Sequence, residues 1–348
     1  MKHISIIMAS MAGMMLLTTA CNDEWKDEQY EHYISFKAPL NDNGVSAIYV
    51  PYTRHTTNAD GQQVPMYGEE GKSTYQLPVI VSGTTENPSD VTINVSRSDT
   101  LGILNYAQFQ NRTDLYYNEL PEQYVSFPAT HFIKKGEDVS LFQLDFDFRG
   151  IDMSNKWVLP LEITPGHGYT PHPRKHYAKA LLRVYPFNDY SGSYSATTQK
   201  MANENDPNNA TGGETSRAYV VDENTVFFYA GNDINETRTD RNLYKIYAKF
   251  TPADETGKSG SVDFYEPTNN PDLNFVCNAQ AAYAVNEIMD EIQPYLMHRY
   301  IIISGIEYQF NDYTLVPGNP RRYIVTGSLT MERKINTQMS DDDMAIEW

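Results

Sequence analysis

Residues 139–148 read VSLFQLDFDF and alternate apolar and polar side chains from Phe142 to Phe148. Because successive side chains of a β-strand point to opposite faces, this alternation predicts a strand with one buried and one solvated face. The buried face would hold Phe142, Leu144, Phe146 and Phe148, and the solvated face Gln143, Asp145 and Asp147. Residues 243–250, LYKIYAKF, repeat the pattern and predict a second strand of the same kind.

Short apolar segments of this type recur along the chain. Clusters of turn residues separate them, such as GTTENPSD at 83–90, TPGHG at 164–168 and TGGE at 211–214. Regular short strands between such turns are typical of sandwiches and barrels, so we predict an all-β chain. The further strand candidates are 75–82, 91–97, 157–164, 178–185, 226–231, 260–266, 306–313 and 322–331.

The length of 348 residues favours two domains. In YPFNDYSGSYS, residues 185–195, a predicted strand ends, polar turn residues intervene, and another strand-like segment follows. We therefore predict an N-terminal Ig-like β-sandwich over residues 33–187. A second antiparallel β-sandwich or barrel-like domain would follow over residues 188–348.

Three segments depart from the strand pattern. LGILNYAQFQ at 101–110 favours a helix, and AAYAVNEIMDEIQPYL at 281–296 favours another that ends near Pro294. MANENDPNNATGGE at 201–214 is predicted to be a long polar loop inside the second domain.

The N-terminus resembles a bacterial lipoprotein signal. Basic residues at positions 2 and 3 precede an apolar run over 4–17, and small residues then lead to Cys21. We expect a signal peptide over 1–20 and a lipid anchor on Cys21, within an acidic linker over 21–32. Asp23 and Glu24 resemble an acidic tag that sends lipoproteins to the cell surface. The alternative is an ordinary secreted protein with cleavage nearby.

The net charge of −18 argues against nucleic acid as a partner, because phosphates need Lys and Arg to replace their counterions. It also argues against a protein that lies flat on an anionic membrane, so membrane contact is expected through the lipid anchor only. The 26 tyrosines suit both half-buried sheet surfaces and sugar stacking. Cys277, in an apolar segment, is predicted to be a buried small residue.

Motifs for catalysis or cofactors are incomplete. GEEGKST at 68–74 lacks the first glycine of a phosphate loop, since position 66 is Met66. Residues His167, His172 and His176 cluster, but Pro and Gly surround them and nothing fixes their spacing for a metal. Asp145 and Asp147 fall on the solvated face of one strand. We therefore predict no catalytic residue, no metal site and no cofactor.

An ordered series of short motifs resembles a family of surface lipoproteins. In Bacteroidetes, polysaccharide-utilisation loci encode outer-membrane lipoproteins with two β-rich domains that are catalogued as domains of unknown function. The motifs of the first half are YQLPVIV (75–81), LNYAQF (104–109), LPEQY (120–124), FIKKGE (132–137) and WVLPLEI (157–163). Those of the second half are SGSYSA (191–196), RYIVTG (322–327) and the acidic tail SDDDMAIEW (340–348).

This resemblance implies a lipid-anchored outer-membrane protein that faces the cell exterior. It implies non-catalytic glycan binding beside a TonB-dependent importer, to which the glycan is passed. The resemblance does not transfer binding residues, because these vary within such families.

Candidate glycan-binding residues come instead from two loops of the second domain, YEPTNNPDLNF at 265–275 and FNDYTLVPGNPRRY at 310–323. Both mix aromatic, amide and charged side chains. We predict Tyr265, Asn269, Tyr313 and Arg321 as glycan-binding residues. The alternative for each is an ordinary turn residue, since turns are enriched in Asn, Pro and Gly.

Two other functions stay open at this point. A structural or protein-interaction lipoprotein, such as an adhesin or fimbrial component, would also fit a β-sandwich with exposed strand edges. A glycoside hydrolase would need two carboxyl groups that face each other across a sugar, and the sequence shows no such pair.

Overall fold

The computed structural model of the chain describes residues 32–83, 85–174, 177–232, 234–313, 318–339 and 345–347. The predicted signal peptide, the anchor at Cys21 and the export residues Asp23 and Glu24 lie outside these ranges. So do His176 and most of the acidic tail. Within the described ranges, no helix is both long and apolar enough to cross a lipid bilayer.

The described residues of the N-terminal half form one α-helix, α1 (Leu101–Phe109), and thirteen strands. These are β1 (Tyr33–Phe36), β2 (Ser46–Pro51), β3 (His55–Thr57), β4 (Gln63–Pro65), β5 (Lys72–Val81), β6 (Val91–Arg97), β7 (Asn118–Glu119), β8 (Val125–Ser126), β9 (Thr130–Ile133), β10 (Val139–Asp147), β11 (Trp157–Thr164), β12 (Thr170–Pro171) and β13 (Lys179–Phe187).

Two sheets form a sandwich in this half. One sheet has the strand order β12-β1-β5-β10-β8, and the other β2-β13-β11-β6-β9, with β7 beside β11. The alternation in β10 places Phe142, Leu144 and Phe146 in the core, where they meet residues of the other sheet such as Ile93 and Leu161. The strand predicted from VSLFQLDFDF is therefore confirmed, and its apolar face is the centre of the sandwich.

Twelve strands occur among the residues of the C-terminal half that the structure describes. These are β14 (Gly192–Ser195), β15 (Lys200–Asn203), β16 (Asp206–Gly212), β17 (Thr215–Val220), β18 (Thr225–Tyr229), β19 (Lys245–Pro252), β20 (Ser259–Tyr265), β21 (Val276–Cys277), β22 (Ala281–Met289), β23 (Leu296–Asp312), β24 (Arg321–Asn336) and β25 (Ile346–Glu347).

Eight of these strands close into a barrel. The ring runs β24-β14-β17-β18-β19-β20-β22-β23, and pairing of β23 with β24 completes it. An eight-stranded barrel has an interior just wide enough for side chains to fill. Aromatic residues fill it here, among them Tyr194, Phe250, Tyr308 and Phe310, all of which are buried.

These sheets confirm the prediction of an all-β chain, and the second half is a barrel. Strands up to β13 pair with one another in the sandwich half, and strands from β14 onwards pair with one another in the barrel half. The division into residues 33–187 and 188–348 stays our proposal. The helix predicted over 101–110 is confirmed as α1.

Two predictions about local structure were wrong. Residues 281–296 do not form a helix, because the first nine of them are strand β22. This strand pairs with β23, with Ala282 opposite Ser304 at one end and Met289 opposite Met297 at the other. At the start of β22, Ala281 and Tyr283 point into the barrel while Ala282 and Ala284 are exposed. Buried and exposed side chains therefore alternate with the two-residue period of a strand. Residues 201–214 are not a loop either, because β15 and β16 form an antiparallel hairpin there.

The sandwich and the barrel share an apolar seam. Tyr219, Phe227 and Tyr229 lie on the outer face of the barrel and pack into the core of the sandwich. A salt bridge crosses the seam, with the Nζ of Lys245 2.9 and 3.0 Å from the two carboxylate oxygens of Asp152. A seam of this kind holds the two halves against each other through both apolar contact and charge.

Candidate functional site

A row of aromatic side chains crosses four strands on the outer face of the barrel. Tyr219, Phe227, Tyr247 and Tyr265 are direct cross-strand partners on β17, β18, β19 and β20. Their successive ring centroids are 4.9, 6.2 and 5.6 Å apart. Direct cross-strand partners on one face stabilise each other, so each ring fixes the position of the next.

Exposure increases along this row from Phe227 to Tyr265. Phe227 is 2% exposed beneath the sandwich, Tyr247 is half-buried, and Tyr265 is 38% exposed at the end. Burial raises the pKa of the Tyr265 hydroxyl, and the charge of Asp222 raises it further. The hydroxyl therefore stays protonated at neutral pH and can both donate and accept hydrogen bonds. Tyr265 is an exposed ring on a rigid support.

A surface cavity of about 400 Å³ begins beside Tyr265. A volume in this range fits a small ligand. The loop between β20 and β21 forms most of its wall. The lining residues are Phe264, Tyr265, Glu266, Asn269, Asn270, Pro271, Asn274, Phe275 and Cys277.

The loop is held in shape by Glu266. One carboxylate oxygen accepts hydrogen bonds from the backbone N–H and the hydroxyl of Thr268, and the other accepts one from the backbone N–H of Asn270 at 2.6 Å. Burial raises the pKa of the Glu266 carboxyl, but these hydrogen bonds outweigh burial and hold the pKa below its usual range. Glu266 is thus an ionised part of the loop framework.

Two asparagines of the loop have left-handed backbone conformations, with φ of 51° at Asn269 and 45° at Asn274. Asn tolerates this region better than most residues, which explains its use at these turns. Between them Leu273 is only 1% exposed and packs into the barrel core. The loop is therefore anchored from below by an apolar residue and shaped from within by hydrogen bonds.

The free polar groups of the cavity are uncharged. Within the described part of the chain, the side-chain amides of Asn269 and Asn274 and the hydroxyl of Tyr265 make no hydrogen bond. An amide group offers two N–H donors and one oxygen acceptor, which suits a ligand rich in hydroxyl groups. The cavity therefore combines an exposed aromatic ring with neutral donors and acceptors.

The structure brings two of the four predicted residues together. Tyr265 and Asn269 line the cavity, whereas Tyr313 and Arg321 do not. Tyr313 is half-buried, and its backbone N–H donates to the Tyr244 hydroxyl at 3.1 Å. Arg321 is exposed and begins β24, opposite Asp312. A role in glycan binding stays a prediction for all four.

The ends of β23 and β24 nevertheless border the cavity loop. The backbone N–H of Asn311 donates to the Leu273 carbonyl at 2.8 Å. The guanidinium of Arg322 donates to the Asn274 carbonyl at 2.8 Å. Arg322, rather than its neighbour Arg321, thus supports the cavity wall.

Sequence reasoning missed Asn274, Phe275 and Tyr247. Asn274 and Phe275 stand in the loop that was quoted, but nothing in the sequence marks which of its residues face the cavity. Tyr247 had a visible signal, because it is the aromatic residue on the otherwise charged face of LYKIYAKF. Cys277 is half-buried rather than buried and lines the cavity. Burial raises the pKa of its thiol, so it is not an activated nucleophile.

Carboxyl groups do not converge in the cavity. Glu266 is the one acidic residue among those lining it, and its oxygens are engaged within the loop. Asp147 forms a salt bridge with Arg149 on the sandwich, away from the cavity lining. Among the described residues, no group of three or more His, Cys, Asp or Glu is placed to hold a metal ion.

The fold and the cavity together define a two-domain all-β protein with a surface cavity of ligand size whose free polar groups are neutral. The chain matches the family model of a domain of unknown function, DUF4973, over residues 25–166, and a second model, that of a C-terminal domain, over residues 178–330. No curated protein sequence matches it.

Several crystal structures of Bacteroides proteins are similar to the chain. An auxiliary nutrient binding protein from Bacteroides thetaiotaomicron is 45% identical, with a TM-score of 0.78, over 92% of this chain and 100% of that one. A multidomain protein that includes DUF1735, from Bacteroides ovatus, is 39% identical, with a TM-score of 0.77, over 91% and 100%. A protein of unknown function from Bacteroides ovatus is 34% identical, with a TM-score of 0.75, over 91% and 97%.

The chain therefore belongs to the family of these Bacteroides proteins. Their names speak of nutrient binding or of unknown function, and none of the three names an enzyme.

Proposed function

We propose that this protein binds a glycan, an oligosaccharide or a polysaccharide, without cleaving it. The observation that carries the proposal is the exposed ring of Tyr265 beside a cavity whose free polar groups are neutral amides. The name of one relative, an auxiliary nutrient binding protein, supports a role in nutrient capture.

In this proposal a sugar ring places its apolar C–H face on Tyr265. The amides of Asn269 and Asn274 bond the sugar hydroxyls, and the cavity takes the rest of the sugar. Tyr247 behind Tyr265 and Leu273 beneath the loop hold these groups in place before the ligand arrives. Preorganisation of this kind lowers the entropy that binding must overcome. With a single, already engaged carboxylate in the lining, the cavity supports capture rather than hydrolysis.

Localisation and delivery form a second part of the proposal. We propose that Cys21 carries the lipid anchor in the outer membrane, that Asp23 and Glu24 direct the protein to the cell exterior, and that a TonB-dependent importer receives the glycan. Metabolic labelling with a radioactive fatty acid tests the anchor. Label on the natural chain and none on Cys21→Ala is expected, and equal label on both would contradict it.

Affinity gel electrophoresis against plant, host and fungal polysaccharides tests the central proposal. The experiment uses the chain from residue 22 onwards, which contains every residue that the structure describes. We expect at least one polysaccharide to retard it, with no products in the mixture. Tyr265→Ala should weaken that binding about tenfold or more, or about 1.4 kcal/mol, since burying an aromatic face stabilises by a similar amount.

Tyr67→Ala is the matched control, because Tyr67 is 39% exposed on the sandwich and stands outside the cavity. The control should bind like the natural chain. Products in the mixture would favour a hydrolase instead, and equal binding by natural chain and Tyr265→Ala would move the site elsewhere.

One observation favours a second candidate, a protein-interaction role. The hairpin between β22 and β23 carries exposed apolar side chains at its end: Ile288 is 59%, Met289 46% and Ile292 90% exposed. Exposed apolar clusters are typical of contact surfaces. This candidate would be supported if the chain bound no glycan and if, in cells, its hairpin could be crosslinked to an outer-membrane protein.

A further inference from the structure

We propose that the glycan site continues beyond the cavity, from Tyr265 across β19 to Tyr247 and the seam between the sandwich and the barrel. It would then take a linear oligosaccharide of at least three sugar units, one in the cavity and one on each ring. This inference rests on glycan binding as proposed above and specifies the shape of the ligand.

The strand order places Tyr265 between the cavity and Tyr247. β20 pairs with β19 along one edge and with β22 along the other. Cys277 of β21 and Phe275 just before it, on the far side from β19, contribute to the cavity wall. Tyr247 stands on β19, directly across from Tyr265. A ligand that leaves the cavity over Tyr265 and runs across the strands therefore meets Tyr247 next.

The two rings can act as consecutive platforms. Their centroids are 5.6 Å apart and their planes differ by 35°, so the rings lie side by side rather than stacked face to face. The next ring of the row, Phe227, is buried under the sandwich. Tyr247 is thus the last aromatic side chain of the row that a ligand can reach, and it marks one end of the site.

Polar side chains lie beside Tyr247 at that end of the site. Lys245 lies two residues before Tyr247 and therefore on the same face of β19. Its ammonium group is bonded to Asp152 of the sandwich, whose side chain remains 46% exposed. The Asp152 carboxylate also accepts the backbone N–H of Ser154 at 2.9 Å. A carboxylate has room for more hydrogen bonds than these partners take up, so Asp152 can accept bonds from sugar hydroxyls. A chain bound along the row would contact both halves of the protein.

A simpler role for Tyr247 must be distinguished from this one. As a brace, Tyr247 would only hold Tyr265 in position, and its loss would weaken the binding of every glycan by the same factor. As a second platform, it would matter more to chains long enough to reach it than to shorter ones. Chain length therefore separates the two roles.

The experiment measures affinity by isothermal titration calorimetry for gluco-, manno- and xylo-oligosaccharides of two to six units. For the series that binds, we expect the natural chain to gain about tenfold from the disaccharide to the tetrasaccharide. Tyr247→Ala should abolish that gain, so that the tetrasaccharide loses about tenfold more affinity than the disaccharide does. Tyr247→Phe, which keeps the ring, should retain the gain, and Tyr67→Ala should behave like the natural chain.

A loss of the same factor at every length in Tyr247→Ala would overturn the second platform and leave Tyr247 as a brace. A natural chain that binds the disaccharide as tightly as the hexasaccharide would overturn the extended site alone. Binding to none of these oligosaccharides, together with no retardation in the affinity gel, would instead remove glycan binding itself. A melting curve for each variant shows whether it is folded.

Discussion

Asn269 combines two properties that one substitution can separate. Its side-chain amide faces the cavity, and its backbone has a φ of 51°. Glycine adopts this conformation without strain, whereas alanine is strained in it. Exchange to either residue removes the amide, but only one of them also disturbs the backbone.

We therefore expect Asn269→Gly to bind glycan more weakly while its stability stays close to that of the natural chain. Asn269→Ala should bind as weakly and also lose about 1 kcal/mol of unfolding free energy. Urea denaturation and calorimetric titration measure the two effects. Unchanged glycan affinity in Asn269→Gly would show that this amide does not contact the ligand.

His298 gives a prediction about pH. Its ring lies between the carboxylates of Glu332 and Asp290, with Nε2 2.9 Å from Asp290. The hydrogen bond to Glu332 is the largest cause that raises the pKa of the His298 imidazole, and the hydrogen bond to Asp290 is the second. The charged ring therefore stabilises the fold fully below the pKa of the unfolded chain, near 6.5, and this contribution disappears as the pH rises through the higher folded pKa.

The melting temperatures of the natural chain and of His298→Gln should differ most near pH 5 and converge as the pH rises above the folded pKa. Differential scanning fluorimetry over this range measures the difference. A gap that stays constant from pH 5 to pH 9 would mean that the charge of His298 contributes nothing.

At the scale of the elements, Gly327 shows how strand β24 changes from one pairing partner to another. Strand β24 pairs with β15 up to Thr326 and with β14 from Thr330. At the change of partner, Gly327 has a φ of 127°, and a Cβ there would lie 2.3 Å from the Thr198 carbonyl oxygen. Only glycine allows the two backbones to approach this closely.

Gly327→Ala should therefore lower the unfolding free energy by about 3 kcal/mol, from backbone strain plus overpacking. Gly305→Ala is the matched control. Gly305 also has a positive φ, 72°, but a Cβ there would meet nothing within 4 Å, so only about 1 kcal/mol should be lost. Equal losses in the two variants, measured by urea denaturation, would contradict the close approach at Gly327.

Elements whose side chains alternate strongly could be predicted from the sequence. The prediction failed where the helical and the strand period compete. In β10 the alternation is strict from Phe142 onwards, and the prediction matched the structure. Residues 281–296 contain three Ala and two Glu, which favour helices, but residues 281–289 form a strand because β20 and β23 offer hydrogen bonds on both sides. Such long-range partners override local propensity and are invisible in one segment.

The candidate site shows the same limit. Tyr265 and Asn269 could be found because an aromatic residue and amides share one loop. Tyr313 and Arg321 came from an equally polar loop, yet neither lines the cavity. Which loop residues face inward depends on the anchor at Leu273 and the hydrogen bonds of Glu266, and both are consequences of the folded loop.

For the whole molecule, the seam makes one unit of the sandwich and the barrel. Tyr219, Phe227 and Tyr229 belong to the core of the sandwich although they stand on barrel strands. Arg241 of the barrel donates two hydrogen bonds to the Ser154 carbonyl of the sandwich, at 3.1 and 3.2 Å. Separation of the halves would expose this apolar face and leave these polar groups without partners.

Scanning calorimetry should therefore show a single unfolding transition whose calorimetric and van't Hoff enthalpies agree. Phe227→Ala, at the seam, should lower the melting temperature without splitting the transition. Two separate transitions in the natural chain would mean that the seam does not couple the halves.

The central claim is that Tyr265 and the adjoining cavity bind glycan. A crystal structure of the complex with an oligosaccharide that the calorimetry identifies tests it most directly. The claim predicts a sugar ring on the exposed face of Tyr265, with hydroxyl groups within hydrogen-bond distance of the Asn269 and Asn274 amides. An oligosaccharide bound elsewhere, with Tyr265 and the cavity free, would contradict it.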